Sequence, residues 1–150
     1  ILNEYYKIYG VGINSINKEL LMYYCKIYTN NYQIVSNIDN LSKLSDLQLQ
    51  ELEIAKNNIV IGDLYYQYTD IDIDKLYKII GVGYDHTTNN IKVIYQGLFD
   101  SKLIWLTDLS SWNETILGIP KFIKLHNLFS KYALCAIIIA TVAIILSRIR

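Results

Sequence analysis

The chain contains a near-copy of one of its own segments, and this constrains its fold more than any other feature. Residues 4–12 read EYYKIYGVG and residues 75–83 read KLYKIIGVG. At a constant, gapless offset of 71, Tyr6, Lys7, Ile8, Gly10, Val11, Gly12 and Tyr24 fall on Tyr77, Lys78, Ile79, Gly81, Val82, Gly83 and Tyr95. The hydrophobic pattern follows: Met22 aligns with Val93, Ile34 with Trp105 and Val35 with Leu106. Self-similarity of this kind is read before any element is assigned, and the economical reading is a tandem repeat of one small unit. Residues 4–38 are then expected to follow the same path as residues 75–109.

Each copy reads as short strands broken by turns. In the second, residues 76–83 form a strand, DHTTNN (85–90) a polar turn, residues 91–97 the hairpin partner and residues 103–106 a third strand. Tyr, Ile and Val dominate these runs, as a half-buried pleated surface prefers. So few short strands leave unpaired edges unless they curl, so each copy predicts a small SH3-like β-barrel. Between the copies, Ser45 followed by Gln48 offers a capping box, and Leu44, Leu47, Leu52 and Ala55 can share one helix face docked on a barrel. The expected class is mainly β. Residues 1–40 form a first β unit, N-terminally incomplete because the chain opens on Ile1. Residues 41–60 form a helical connector, 61–126 a second barrel and 127–150 a C-terminal transmembrane anchor.

The second copy resembles the family known as domain of unknown function 1653, a small bacterial and viral β-barrel module. The resemblance is carried by LYKIIGVG (76–83), KVIYQGL (92–98), WLTDLSSW (105–112) and GIPKFIKL (118–125), and it covers residues 62–125. Where the family opening carries a histidine, a lysine and a glycine, this chain has Gln67, Thr69 and Asp70; where the family has Arg-Pro, it has Thr107 and Asp108. The resemblance implies a barrel fold and a binding module, and no chemistry.

The anchor expectation rests on YALCAIIIATVAIILS, residues 132–147, uncharged between Lys131 and Arg148. Read as one helix it spans about 24 Å, and the flanking cations can snorkel to the interfaces. Leu134, Ile137, Ile138, Ile139, Val142, Ile144, Ile145 and Leu146, at roughly −0.5 kcal/mol each, sum to an insertion free energy on the order of −4 kcal/mol. Tyr132 stands at the boundary. The expected location is a membrane, single-pass, with the lipid bilayer as one partner.

Fourteen basic side chains balance fourteen acidic ones, which excludes a nucleic-acid binder on charge. Ile, Asn, Lys and Tyr are heavily used, as in an AT-rich genome. Gly10-Val11-Gly12 and Gly81-Val82-Gly83 lack the third glycine of a dinucleotide loop and read as strand bends. Asp70, Asp72 and Asp74 alternate along one extended face, as a charged solvated edge does. Cys25 and Cys135 form no disulfide framework, His86 and His126 have no ligands at metal spacing, and no catalytic cluster, metal site or cofactor is expected. The tyrosines remain, because tyrosine is enriched at interfaces. The leading expectation is a non-enzymatic, membrane-anchored structural or adaptor protein that meets a protein partner through Tyr65, Tyr66, Tyr68 and Tyr84. Codon usage and the viral branch of the resembled family point to a large DNA virus particle and its membrane. The alternative is a membrane-tethered sensor of a small ligand or modified base, with Asp85 and His86 in the second barrel.

Overall fold

The computed structural model describes residues 6–26, 29–68, 75–99, 102–125 and 139–149. Ten strands and two helices are assigned in chain order. They are β1 (Tyr6–Asn14), β2 (Leu20–Lys26), β3 (Tyr32–Val35), α1 (Asp46–Asn58), β4 (Leu64–Gln67), β5 (Tyr77–Asp85), β6 (Asn90–Gly97), β7 (Ile104–Asp108), α2 (Leu109–Trp112), β8 (Thr115–Ile116), β9 (Ile119–Pro120) and β10 (Phe122–Lys124). The described residues 139–149 are helical throughout and are labelled α3.

The two expected barrels are replaced by a single one. The hairpins β1–β2 and β5–β6 are antiparallel, as are β2–β3 and β6–β7. The third strand of each segment then crosses to the other segment: β3 runs parallel to β5, and β7 runs parallel to β1. These pairings close a ring, β5-β3-β2-β1-β7-β6, with β4 and β10 added beyond β5. The expectation of tandem, self-contained units is overturned, because neither segment closes by itself. A three-strand meander has two open edges, and the parallel exchange satisfies both.

Within that one barrel the hairpins share their registers. Gly12 pairs with Leu21 and Gly83 with Lys92, each 71 residues on, and both hairpins shift register one residue before Gly10 or Gly81. Such a bulge sharpens the local bend that a small barrel needs. The following glycine leaves room for a ring: a Cβ on Gly81 would stand 2.5 Å from Tyr32 Cε2, and one on Gly10 would collide with the Tyr23 hydroxyl end. The interior is filled by Leu21, Tyr23, Cys25, Tyr32, Ile34, Ile94 and Leu106.

Helix α1 begins as its capping box predicts. Ser45 Oγ accepts from the Gln48 amide and the Gln48 side chain accepts from the Ser45 amide. Leu44, Leu52, Ala55 and Ile59 bury against Val82, Tyr84, Ile91 and Val93 on the outer face of β5–β6, whereas Leu47, expected on the same face, is exposed. Each fully buried aliphatic side chain contributes about 2 kcal/mol, which is why a helix of weak amphipathicity stays attached.

The membrane anchor is also corrected. Among the described residues no helix is long and apolar enough to cross a membrane. The expectation treated the apolar run as one rod; of that run the structure describes residues 139–147, helical within α3, and the described part of α3, about 16 Å at about 1.5 Å per residue, falls short of a core of about 30 Å. Ile139, Val142, Ile144, Ile145, Leu146 and Arg148 lie in α3 and are exposed, while Lys131, Tyr132, Leu134, Ile137 and Ile138 lie outside the described residues. The single-pass location and the virion-membrane context built on it lose their support.

The β8–β9 hairpin turns through Leu117 (φ 54°) and Gly118 (φ 81°). Positive φ at both central positions is the geometry that favours Asn-Gly. Leu117 is 96% exposed, so its side chain gives nothing back for this conformation. Leu117→Asn is expected to stabilise the protein by about 0.5–1 kcal/mol, read as a higher urea midpoint with an unchanged slope.

Candidate functional site

An aromatic cluster lies beneath a broad concavity. Trp112 and Phe122 stack at 3.9 Å and 11°, and Tyr65 meets Trp112 edge-on at 5.1 Å. Tyr77 in turn meets Tyr95, Phe99 and Phe122 edge-on. The residues come from β4, β5, β6, α2 and β10, so the strands appended outside the barrel exist to bring these rings together. Edge-on and stacked pairs of this kind each contribute about 1 kcal/mol beyond the area they bury.

Above this cluster is a half-open cleft of about 720 Å³, walled by Tyr77, Tyr95, Phe99 and Trp105. Its polar lining converges from separate elements: Ser15 and Lys18 from the β1–β2 turn, Thr107 from β7, and Ser111, Glu114 and Lys121 from the segment after it. Ser15 and Thr107 are in hydroxyl contact, and Thr107 also bonds Tyr95. Burial pushes the Tyr95 hydroxyl up from its ordinary pKa, with the Thr107 bond opposing, so it stays a neutral hydrogen-bonding group. Lys18 Nζ sits 5.0 Å from the Trp105 ring centroid and donates to the Ser15 carbonyl. The Ser15 amide bonds the Leu106 carbonyl, fixing the turn against β7. Two lysines against one glutamate leave the lining net positive.

A second polar group plugs one end of the barrel. Lys92, an inward position of β6, is 2% exposed and lies 2.9 Å from Asp85 Oδ2 and 2.5 Å from Asp108 Oδ1. Thr88 and Asn90 oxygens stand 3.4 Å from the same ammonium. Asp85 Oδ1 also accepts from the Thr87 amide. This is a satisfied buried ion group, and such groups are costly to break but add little against apolar replacements. Beside it His86 bonds Gln33, and its amide bonds the Ile34 carbonyl.

The residues expected from sequence are scattered. Tyr65 and Tyr84 are buried, Tyr66 is half-buried and Tyr68 is 42% exposed, so one of the four is an exposed residue. Asp85 and His86 belong to the barrel plug and do not line the described cleft. Asp70, Asp72, Asp74 and His126 lie outside the described residues. Sequence reasoning missed Lys92, Asp108 and Gln33, although a lysine between Ile91 and Val93 in an apolar strand was a signal for a buried cation. It also missed Ser15, Lys18, Trp105 and Thr107, which lie about 90 residues apart and meet only through the parallel exchange. No protein-family model, no curated protein and no solved structure matches this chain.

Two expectations follow. Lys92→Met leaves Asp85 and Asp108 facing each other without a cation, so the loss is expected to be about 3 kcal/mol, measured by urea denaturation. Burial lowers the His86 pKa, with the Asp85 charge opposing. Between that lowered value and the unfolded value near about 6.5, the unfolded chain binds more protons. Stability is therefore complete above pH ~6.5 and falls as pH drops through the window beneath it. His86→Gln should flatten that part of the thermal-midpoint profile.

Proposed function

We propose that the protein is a non-catalytic binding module that holds a small ligand in the outer cleft. The ligand class is a molecule with a planar aromatic body and an anionic or acceptor-rich end. The observation that carries this is the wall of Tyr77, Tyr95, Phe99 and Trp105 beside Lys18 and Lys121. Binding sites of this size pair an apolar body with a few placed polar groups that fix orientation. Phe99 and Trp105, the two half-exposed rings of the wall, would stack on the ligand body, while the ammonium groups and the Ser111 hydroxyl would meet its polar end.

Binding without chemistry is supported by how the hydroxyls are used. Ser15 and Thr107 bond each other, and the described lining offers no imidazole to activate either. The resemblance of residues 62–125 to a family of small β-barrels agrees with a binding role. The adaptor reading draws less from the tyrosines, since Tyr65 and Tyr84 are core residues.

The test uses the tryptophans, of which the chain has two. Trp112 is buried, whereas Trp105 lines the cleft and reports occupancy. Aryl carboxylates and aryl phosphates titrated to millimolar concentration are expected to quench the fluorescence of the intact protein. Trp105→Phe should remove the response, and Lys18→Gln should weaken binding about tenfold, equivalent to about 1.4 kcal/mol. Absence of quenching, or quenching that persists in Trp105→Phe, overturns the proposal.

A further inference from the structure

The ion group at the barrel end holds one amine between two carboxyl groups. Lys92 and Asp108 are direct partners in the β6–β7 register, and Asp85 stands at the adjoining end of β5. Lys92 Nζ lies 2.5 Å from Asp108 Oδ1 and 2.9 Å from Asp85 Oδ2, with Lys92 and Asp85 almost wholly buried. Asp108 occupies the N-cap of α2, where an aspartate ordinarily accepts from a helix amide. Its side chain makes no cap hydrogen bond and is given to the lysine instead. Seventy-one residues earlier the same three positions are Asn14, Leu21 and Asn37, so the first half carries none of the three charges.

We infer that Lys92 and Asp108 condense into an isopeptide bond, a side-chain amide that ties β6 to β7, with Asp85 as the proton carrier. A proton first passes from the ammonium to the Asp108 carboxylate, which gives an amine and a carboxylic acid. Nζ then attacks Asp108 Cγ. Asp85 takes a proton from the nitrogen and delivers it to the departing hydroxyl, which leaves as water. The bond formed is Nζ–Cγ, the bond broken is one Cγ–O bond, and Asp85 ends as the carboxylate it began as. No outside reagent is consumed.

The surroundings favour this step. Condensation removes a buried cation and a buried anion, and with them the cost of keeping both out of water. Groups fixed in contact react at effective concentrations of about 10⁵–10⁸ M, which opposes hydrolysis of the amide. Asp108 also borders a groove of about 410 Å³ lined by Asn90 and Ser110, so the released water has an exit while the lysine stays shielded. Lys124 and Asp63, also 2.9 Å apart, lack this setting because both are partly open to water. The reaction is a single maturation event at the barrel end and is independent of the cleft.

The test is the mass of the full chain, folded and then denatured for mass spectrometry. It is expected to be lighter than its sequence by one water. Tryptic digestion should show no cleavage after Lys92 and one branched peptide joining Lys92 to Asp108. Lys92→Arg keeps the cation but stays protonated and forms no amide, so the folded variant should have its full sequence mass. Asp85→Asn should slow the loss of water about a hundredfold, followed by mass during refolding from denaturant. A folded chain that keeps its full mass overturns the inference, as does a water loss that persists in folded Lys92→Arg. So does a branch at Asp85, or loss of ammonia with a branch at Asn90, whose Oδ1 stands 3.4 Å from the same nitrogen. An Asp85→Asn variant that reacts at the unsubstituted rate overturns the proton-carrier role.

Discussion

The parallel exchange of third strands holds the molecule together. Tyr32, Gln33 and Ile34 pair with Gly83, Tyr84 and Asp85, and Trp105 and Leu106 pair with Ile13 and Asn14. Without these two short ladders each segment would be an open three-strand meander with unpaired edges. The exchange also brings interior rings against the strand backbones, which is why Tyr32 lies over Gly81. Its contacts join residues about 90 positions apart, as in Ser15 with Thr107. Closure of such loops must precede the reward for closing them, so a slow, cooperative folding step is built into this topology.

Matching hairpin registers make the differences between the halves informative. The barrel end that holds Lys92 and Asp85 corresponds, 71 residues earlier, to Leu21 and Asn14. One end is therefore closed by a buried ion group and the other by an apolar side chain. His86 corresponds to Ser15: one bonds Gln33 beside the plug, the other touches Thr107 at the rim of the cleft. The same backbone crossing, amide to the third strand's carbonyl, supports both. Shared scaffold geometry thus leaves the side chains at these crossings to set what each end does.

Much of this was legible locally and little of it globally. The strands, the turn at 86–89 and the capped helix follow from period, turn residues and the Ser45–Gln48 spacing. The glycine pairs were readable as places where side chains must be absent. Topology was not, because antiparallel hairpins are specified by neighbouring residues whereas a parallel pairing leaves no mark at short range. That single omission turned one barrel into two. It also hid the cleft, whose wall and rim come from both segments. Tyrosine misled for a related reason: a ring with a hydroxyl reads as surface-competent, yet Tyr65 is buried against Trp112 and Tyr84 is buried under α1.

The filled interior decides where function can reside. A six-strand barrel is narrow, and this one is occupied by Tyr23, Tyr32, Ile34, Ile94 and Leu106 and plugged by Lys92. The interior therefore leaves no room for a ligand, and the cleft of the proposed function lies on the outside of the sheet. Of the outer faces, that of β5–β6 lies under α1, and the part around Tyr24 and Val35 is closed by Leu41. The β6–β7 side is lifted into a cleft by β4, β10 and the turn that carries Lys18, elements that contribute no strand to the closed ring. Strands added beyond a closed barrel do not improve its closure. Their position against Trp112, Phe122 and Tyr77 is instead what gives the cleft its depth and its aromatic wall.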